Sequence, residues 1–592
     1  MKGERGRRRA TGALALVAAA ALAVGCAPPG EDAPDGGSDG AAAETTGGAA
    51  AGAAKHAAHG HGPARPDGWE AGTTPLLEDI GEIHRPVTTD EPRAQRYFDQ
   101  GLTLHYAFNH AAAARSFREA AHLDPACAMC WWGYALTLGP NINAGMEPGA
   151  AEEAIAAMAR AREASDGATP VERALVRALA ARYEAPSPAD RSGLDSAYAG
   201  AMMELAARFE EDADLAILAA EALMVTSPWD YWRGDGTPKP VARRFLPLLE
   251  RAMALAPGNP GGNHLYIHAV EAVHPERGVE AARRLEGLVP VAGHLVHMPG
   301  HIYIRVGRYA ETVEANRRAI RADSVFARRM GLAGGVYELA YVPHNHHFLW
   351  AAATMMGRGE LALEAARELA AEVDTARMRE EGLTTLQHYW VSPLYARARF
   401  GRWDEILALD PFAEDLVYPN AVRSYTRALA LVRKDRLSAA ERELGELERA
   451  LEDPALERVT VWGINATGDL MAIARDVVAG ELAAARGRYD EAVRHLRRGV
   501  EREDALVYDE PPPWHHPVRQ VLGAVLLEAG RPVEAEEVYR EDLARFPANG
   551  WSLYGLSEAL EAQGREREAE EARRRFREAW ARADVTLTRS TL

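Results

Sequence analysis

From about residue 94 to 580 one pattern of small and bulky side chains keeps returning. Each copy is long enough for two amphipathic helices and a short turn. The first copy, YFDQGLTLHYAFNHAAAARSFREAAHLDP, carries bulky Tyr97 and Phe117, small Gly101, Ala113 and Ala120, and a closing Pro125. The register comes back at GHLVHMPGHIYIRVGRYAETVEANRRAI, with Gly300, Gly307, Tyr309 and Ala319 at the matching places. Further copies include FLWAAATMMGRGELALEAARELA, VVAGELAAARGRYDEAVRHLRRG and LGAVLLEAGRPVEAEEVYREDLARFP. A unit of this kind cannot bury its apolar face alone and must stack on its neighbours, so the recurrence restricts the chain to an all-α stacked array. Composition agrees. Ala, Leu, Glu and Arg dominate while aromatics make up 7%, and straight-chain residues lose little rotamer freedom in a helix.

The copies resemble the tetratricopeptide repeat, and the resemblance implies a right-handed superhelical solenoid whose small residues let paired helices approach. Their spacing alternates between the family length and longer intervals. Segments such as HMPGHIYIRVGRY and PHNHHFLW are similar to ones in bacterial tetratricopeptide lipoproteins, a likeness that supplies a fold and no chemistry. The array divides into one or more N-terminal units at 76–139, histidine-rich units at 263–400 and C-terminal units at 401–592. Residues 140–262 match worst. There GPNINAGMEPG, SPWDYWRGDGTPKP and APGNPGGN interrupt the pattern, and an irregular helical segment with lid loops is expected.

Residues 1–25 read as an export signal: Lys2, Arg5, Arg7, Arg8 and Arg9 precede an apolar run from Ala13 to Val24. Ala23-Val24-Gly25-Cys26 resembles a bacterial lipobox, which implies lipidation of Cys26; plain secretion and an uncleaved anchor are the alternatives. The apolar run is shorter than the roughly 20 residues a span needs. Residues 26–75, rich in Gly, Ala, Pro and acidic groups, lack the apolar periodicity needed to offset chain ordering and read as a disordered tether. His56, His59 and His61 fall in it. The expectation is an exported protein, lipid-anchored in the cell envelope through Cys26, and facing the periplasm or in the outer membrane of a Gram-negative host.

A formal net charge of -18 and the lack of a basic stripe argue against nucleic acid. With Cys26 assigned to lipid, only Cys127 and Cys130 are left as a pair, a candidate disulfide or two inert thiols. One CxxC without a second is half of a zinc-thiolate site.

Ten of the twenty histidines lie between His264 and His388. His264 and His268, like His297 and His301, are four apart, so each pair shares one helix face and both imidazoles reach a common point. The family frame implies that the second, fifth and ninth positions of each repeat's first helix face a concave groove. Anchored on Gly307, Gly357 and Gly401, it turns His294, His297, His301, His344, His347 and His388 toward that groove. The candidate ligands are His264, His268, His297, His301, His344 and His347, with His294, His388 and Glu271 as further groove residues. No HExxH motif is present, so a zinc protease is not indicated. A thiolate-free imidazole set suits copper, zinc or iron. The same residues also fit a metal-free reading, in which groove histidines hydrogen-bond a partner's peptide or are satisfied core groups.

Two functions follow. The first is a multi-histidine transition-metal site in an exported solenoid, open to catalysis of unassigned reaction and substrate. The second is an envelope adaptor holding a peptide or protein in the groove.

Overall fold

A computed structural model describes residues 69–147, 149–331 and 337–592. The export signal, Cys26 and the His56–His61 stretch lie outside the described residues.

Local sequence sets the helix ends. Thr169 and Glu172 close a reciprocal capping box, Asp212 and Asn549 accept backbone N–H groups of the turns they open, and Pro240, Pro260, Pro275 and Pro299 take first-turn positions where no amide is needed. Consecutive helices pack as hairpins, such as Pro92–Tyr106 with His110–Leu123, Val342–Met355 with Gly359–Ala371 and Val518–Glu528 with Pro532–Arg545. Most hairpin turns follow one scheme. A left-handed residue ends the first helix, and the next amide reaches back to a carbonyl five residues earlier, as from Arg308 to Tyr303 and from Arg531 to Leu526. The left-handed position is glycine at Gly307, Gly357, Gly401, Gly487, Gly530 and Gly564, because a Cβ there would crowd the carbonyl that follows. In the first hairpin it is Phe108 (φ 54°) and in the Val417–Ala450 hairpin Asp435 (φ 54°).

Glycine has a second use, between helices. Phe117 fits between Gly101 and Gly133, where a Cβ would come within 2.8 and 2.3 Å of its ring; Tyr539 is held the same way by Gly523 and Gly555. This interlock repeats the bulky-against-small pattern read in the sequence. Among the described residues the only strands are the two-residue pair Thr460–Val461 and Asn465–Ala466, with Trp462 in its turn. No described helix is long and apolar enough to cross a membrane.

The weakly matching stretch, residues 140–262, is more regular than its sequence suggests. It holds the helices Ala150–Glu163, Pro170–Ala180, Ser192–Arg208, Ala213–Val225 and Pro240–Leu255. Its glycine- and proline-rich segments are the connectors, and Trp229 ties one of them down by donating to the Ile142 carbonyl at 3.0 Å. Cys127 and Cys130 are joined as a disulfide, and Cys127 Sγ also accepts the Cys130 amide at the start of a helix.

The solenoid closes on itself. The C-terminal repeats lie across the middle ones: Trp551 Nε1–H donates to Thr354 O at 2.9 Å, Arg399 Nη2 to Gln520 Oε1 at 2.6 Å, and Asp584 accepts the Gly359 amide. The inward faces of the middle repeats therefore look into an interior instead of an open groove. Two large apolar cores result, one drawing on residues from Leu77 to Met330 and one on residues from Ile304 to Leu587, with two small clusters beside them. They divide within one short helix, where Tyr303 belongs to the first and Ile304 to the second.

Candidate metal centre

The histidines gather along that division. His264 and His268 share the inner face of the helix Pro260–Val270, which Asn259 caps. His294 and His297 lie on Gly293–His297 and His301 on Pro299–Arg305; Pro299 has no amide to donate, so the run breaks into two short helices at that point. His344 opens the first turn of Val342–Met355. Two triads form, His264–His268–His294 and His297–His301–His344, each offering three ligand atoms within 4.8 Å of one another. Each triad could hold a metal ion. Metal–nitrogen bonds of about 2.0–2.1 Å put tetrahedral ligand nitrogens roughly 3.3 Å apart, so an ion would draw the rings inward only slightly.

Five of the six are buried, at 0% exposure for His264 and His297, 2–3% for His268 and His294, and 5% for His301, while His344 is half-buried. Burial, reinforced by neighbouring imidazoles, pushes His264, His294, His297 and His344 well below the usual histidine pKa. These rings are therefore neutral, the form that has a lone pair for a metal. The outer ring nitrogens are partly committed. His264 Nδ1 donates to Tyr106 O at 2.7 Å and His297 Nδ1 to Asn316 Oδ1 at 2.7 Å, which leaves both Nε2 atoms as acceptors. Glu271 spans the triads, with Oε1 3.4 Å from His268 Nδ1 and Oε2 2.9 Å from His301 Nδ1, the second contact lying off the hydrogen-bond line. Burial alone would raise the Glu271 carboxyl, but His301 and His268 outweigh it and hold it well below the usual range.

Several ring nitrogens of the triads lack partners. His268 Nε2, His294 Nδ1, His297 Nε2, His301 Nε2 and His344 Nδ1 are buried without a hydrogen bond among the described residues. His264 Nε2 meets only His294 Nε2, at 3.1 Å. A buried polar atom without a partner costs about 1–3 kcal/mol, and five in one cluster is a large liability.

One phenylalanine packs on each triad. Phe108 lies 4.5, 6.0 and 5.6 Å from the rings of His264, His268 and His294. Phe348 lies 4.6, 4.5 and 4.9 Å from those of His297, His301 and His344.

Of the other sequence candidates, His347 lies away from the triads, stacked on Trp350 and 5.8 Å from His388. His388 Nδ1 faces the Tyr418 hydroxyl at 2.8 Å. The helical turn that brings His344 to the second triad carries His347 toward the next repeat. His294, placed in sequence among the further groove residues, falls within the first triad. His346 points elsewhere, with Nδ1 3.4 Å from Glu368.

Sequence reasoning did not single out Phe108, Phe348, Asn316, or Asp509 and Glu510 in the loop between Ala505 and Val518. That loop returns to the interior. Asp509 and Glu510 on it are pushed up to about 7 by burial, although His301 pulls both down, and Arg305 Nε lies 3.7 Å from Glu510. His515, on the same loop, stacks on Tyr395 at 4.1 Å with both ring nitrogens unpartnered among the described residues. One signal was available for Phe108: it fills a turn position that is glycine in six other hairpins.

No protein-family model matches the chain, and none of the curated proteins compared with it matches. Solved structures do. A human IFIT1 dimer with m7Gppp-AAAA is 12% identical over 83% of this chain and 91% of its own, with a TM-score of 0.29. A monomeric IFIT1 mutant with the same ligand gives 12%, 83%, 96% and 0.32. The P58(IPK) TPR domain gives 12%, 80%, 99% and 0.20. The chain's own succession of helical hairpins, with one recurring turn, is what gives it a tetratricopeptide-type helical-repeat fold. Superpositions this loose say nothing of what it binds.

Proposed function

We propose that this is a metal-binding helical-repeat protein whose histidine triads hold transition-metal ions in its interior. The observation that carries the reading is the pair of histidine triads, each offering three ligand nitrogens within 4.8 Å of one another, in which five ring nitrogens have no hydrogen-bond partner among the described residues. Supporting it, Tyr106 O, Asn316 and Glu271 take up one nitrogen each of His264, His297 and His268, as the outer partners of metal-bound imidazoles do, and Glu271 also lies 2.9 Å from His301 Nδ1. The thiolate-free set suits copper, zinc or iron, and an open coordination position would permit redox chemistry or water activation; the reaction and substrate are unassigned. The basic and apolar N-terminus with its lipobox-like Cys26 supports export and lipid anchoring as part of this proposal.

The test is elemental analysis of untagged protein, as purified and after loading with Cu2+, Zn2+ or Fe2+ under non-denaturing conditions. Bound metal that survives gel filtration and falls in a His301→Ala variant of unchanged helicity is the expected result. A chain that carries no metal and takes none up overturns the reading and leaves the adaptor function.

A further inference from the structure

We infer that the centre is dinuclear: the two triads bind one ion each, side by side, and the pair accepts only a small bridging ligand of two or three atoms. The inference rests on the metal-binding reading above, and three observations carry it further.

The first is that the histidines partition into two sets that each meet the requirement for an ion. Three imidazoles converge in each set, within 4.8 Å. Three protein ligands with a fourth position open is the arrangement of a reactive site, whereas closed structural sites use four. The second is that the sets are equivalent in their surroundings. Each has one phenylalanine against all three rings, Phe108 on one and Phe348 on the other. Each has one ring whose outer nitrogen is fixed by a neutral acceptor, Tyr106 O for His264 and Asn316 for His297. Each also has one ring facing the single carboxylate they share, Glu271. A mononuclear site drawing ligands from both sets would leave several of these rings unpartnered.

The third is proximity. Ring centroids across the divide are 5.7 Å apart for His268 and His301 and 5.9 Å for His294 and His297, so ions in the two triads would be near neighbours with their open positions in one shared space. Phe108 and Phe348 each cover the three rings of one triad, and on this reading the space between the ions takes only small bridging species such as hydroxide, azide or dioxygen. The Phe108 backbone supports a built feature. It holds φ 54° at a turn position that is glycine in six other hairpins, and a bulky residue in that region is an outlier maintained only when its surroundings demand it.

The experiment is Cu2+ titration of the full untagged chain, with metal counted per chain and the Cu(II) electron paramagnetic resonance spectrum recorded. The wild type should take two ions per chain, and its spectrum should be lost or broadened by coupling between neighbouring ions. His264→Ala and His344→Ala should each take one ion with the sharp signal of an isolated copper, and the double variant none. Azide should shift the wild-type optical spectrum and leave both single variants less affected. One ion in the wild type, lost in both single variants, overturns the dinuclear centre while the metal-binding reading stands. Zero ions overturns both. Two uncoupled ions with unchanged sharp spectra overturn the shared ligand space. Circular dichroism of each variant keeps a folding failure distinguishable from ligand loss.

Discussion

Phe108 joins two demands that usually fall on different residues. Its ring closes the first triad and is 5% exposed, while its backbone occupies the left-handed turn position. Removing the ring opens a cavity worth about 3–5 kcal/mol, and the left-handed backbone costs a non-glycine residue roughly 1 kcal/mol more than glycine. The cavity term is the larger, so both Phe108→Ala and Phe108→Gly should destabilise the metal-stripped protein. Phe108→Gly should be the milder by about 1 kcal/mol, the reverse of the usual order for a residue flanked by helices. Chemical denaturation of the two variants measures the difference. Equal or inverted stabilities would mean that the turn is not left-handed in the protein. The histidines show the same division between local and distant causes. Four-residue spacing made His264 with His268 and His297 with His301 legible as pairs. That His294 joins one pair and His344 the other depends on how neighbouring repeats are rotated, which spacing does not encode.

At the scale of elements, the interlock of one bulky ring between two glycines fixes the distance between successive hairpins. A Cβ at Gly555 would stand 2.1 Å from Tyr539 Cζ, inside hard contact, and the ring cannot retreat because Gly523 bounds its other face. Gly555→Ala should therefore cost about 1–3 kcal/mol through overpacking, despite the better helix propensity of alanine. Gly445→Ala is the control. It lies in the helix Leu437–Ala450 with nothing within 4 Å of its Cβ position, and should stabilise by about 0.5–1 kcal/mol. Thermal unfolding of the two variants in parallel decides it; a neutral Gly555→Ala would mean that the hairpins are further apart than described. The helices themselves were readable because turn glycines, first-turn prolines and apolar period act within one hairpin. The helices of 140–262 were not, since they depart from the repeat length and their connectors are long.

For the molecule as a whole, closure of the superhelix turns an inward face into an interior. Trp551 is a main bolt: fully buried, bonded to Thr354 O, 5.1 Å from Trp580 and covered by the Arg399 guanidinium at 3.6 Å. Trp551→Ala should cost about 3–5 kcal/mol. The loss should appear first as local opening, because in a stacked array each repeat draws stability from its neighbours. Hydrogen exchange should rise across 518–579 before it rises across 260–270. Uniform acceleration along the chain would instead mean that the array unfolds as one unit.

The sequence by itself determined an all-α array of hairpins, the glycines that turn them, and the helix faces that carry histidine, since these follow from periodicity and backbone sterics within some thirty residues. The tertiary structure alone decided the grouping into His264–His268–His294 and His297–His301–His344, the sharing of Glu271, the two phenylalanine covers, and the burial of all of them except the half-buried His344. Those depend on the small rotation between successive repeats and on the C-terminal repeats returning across the middle. Both are sums over many side-chain contacts, and no single stretch of sequence displays them.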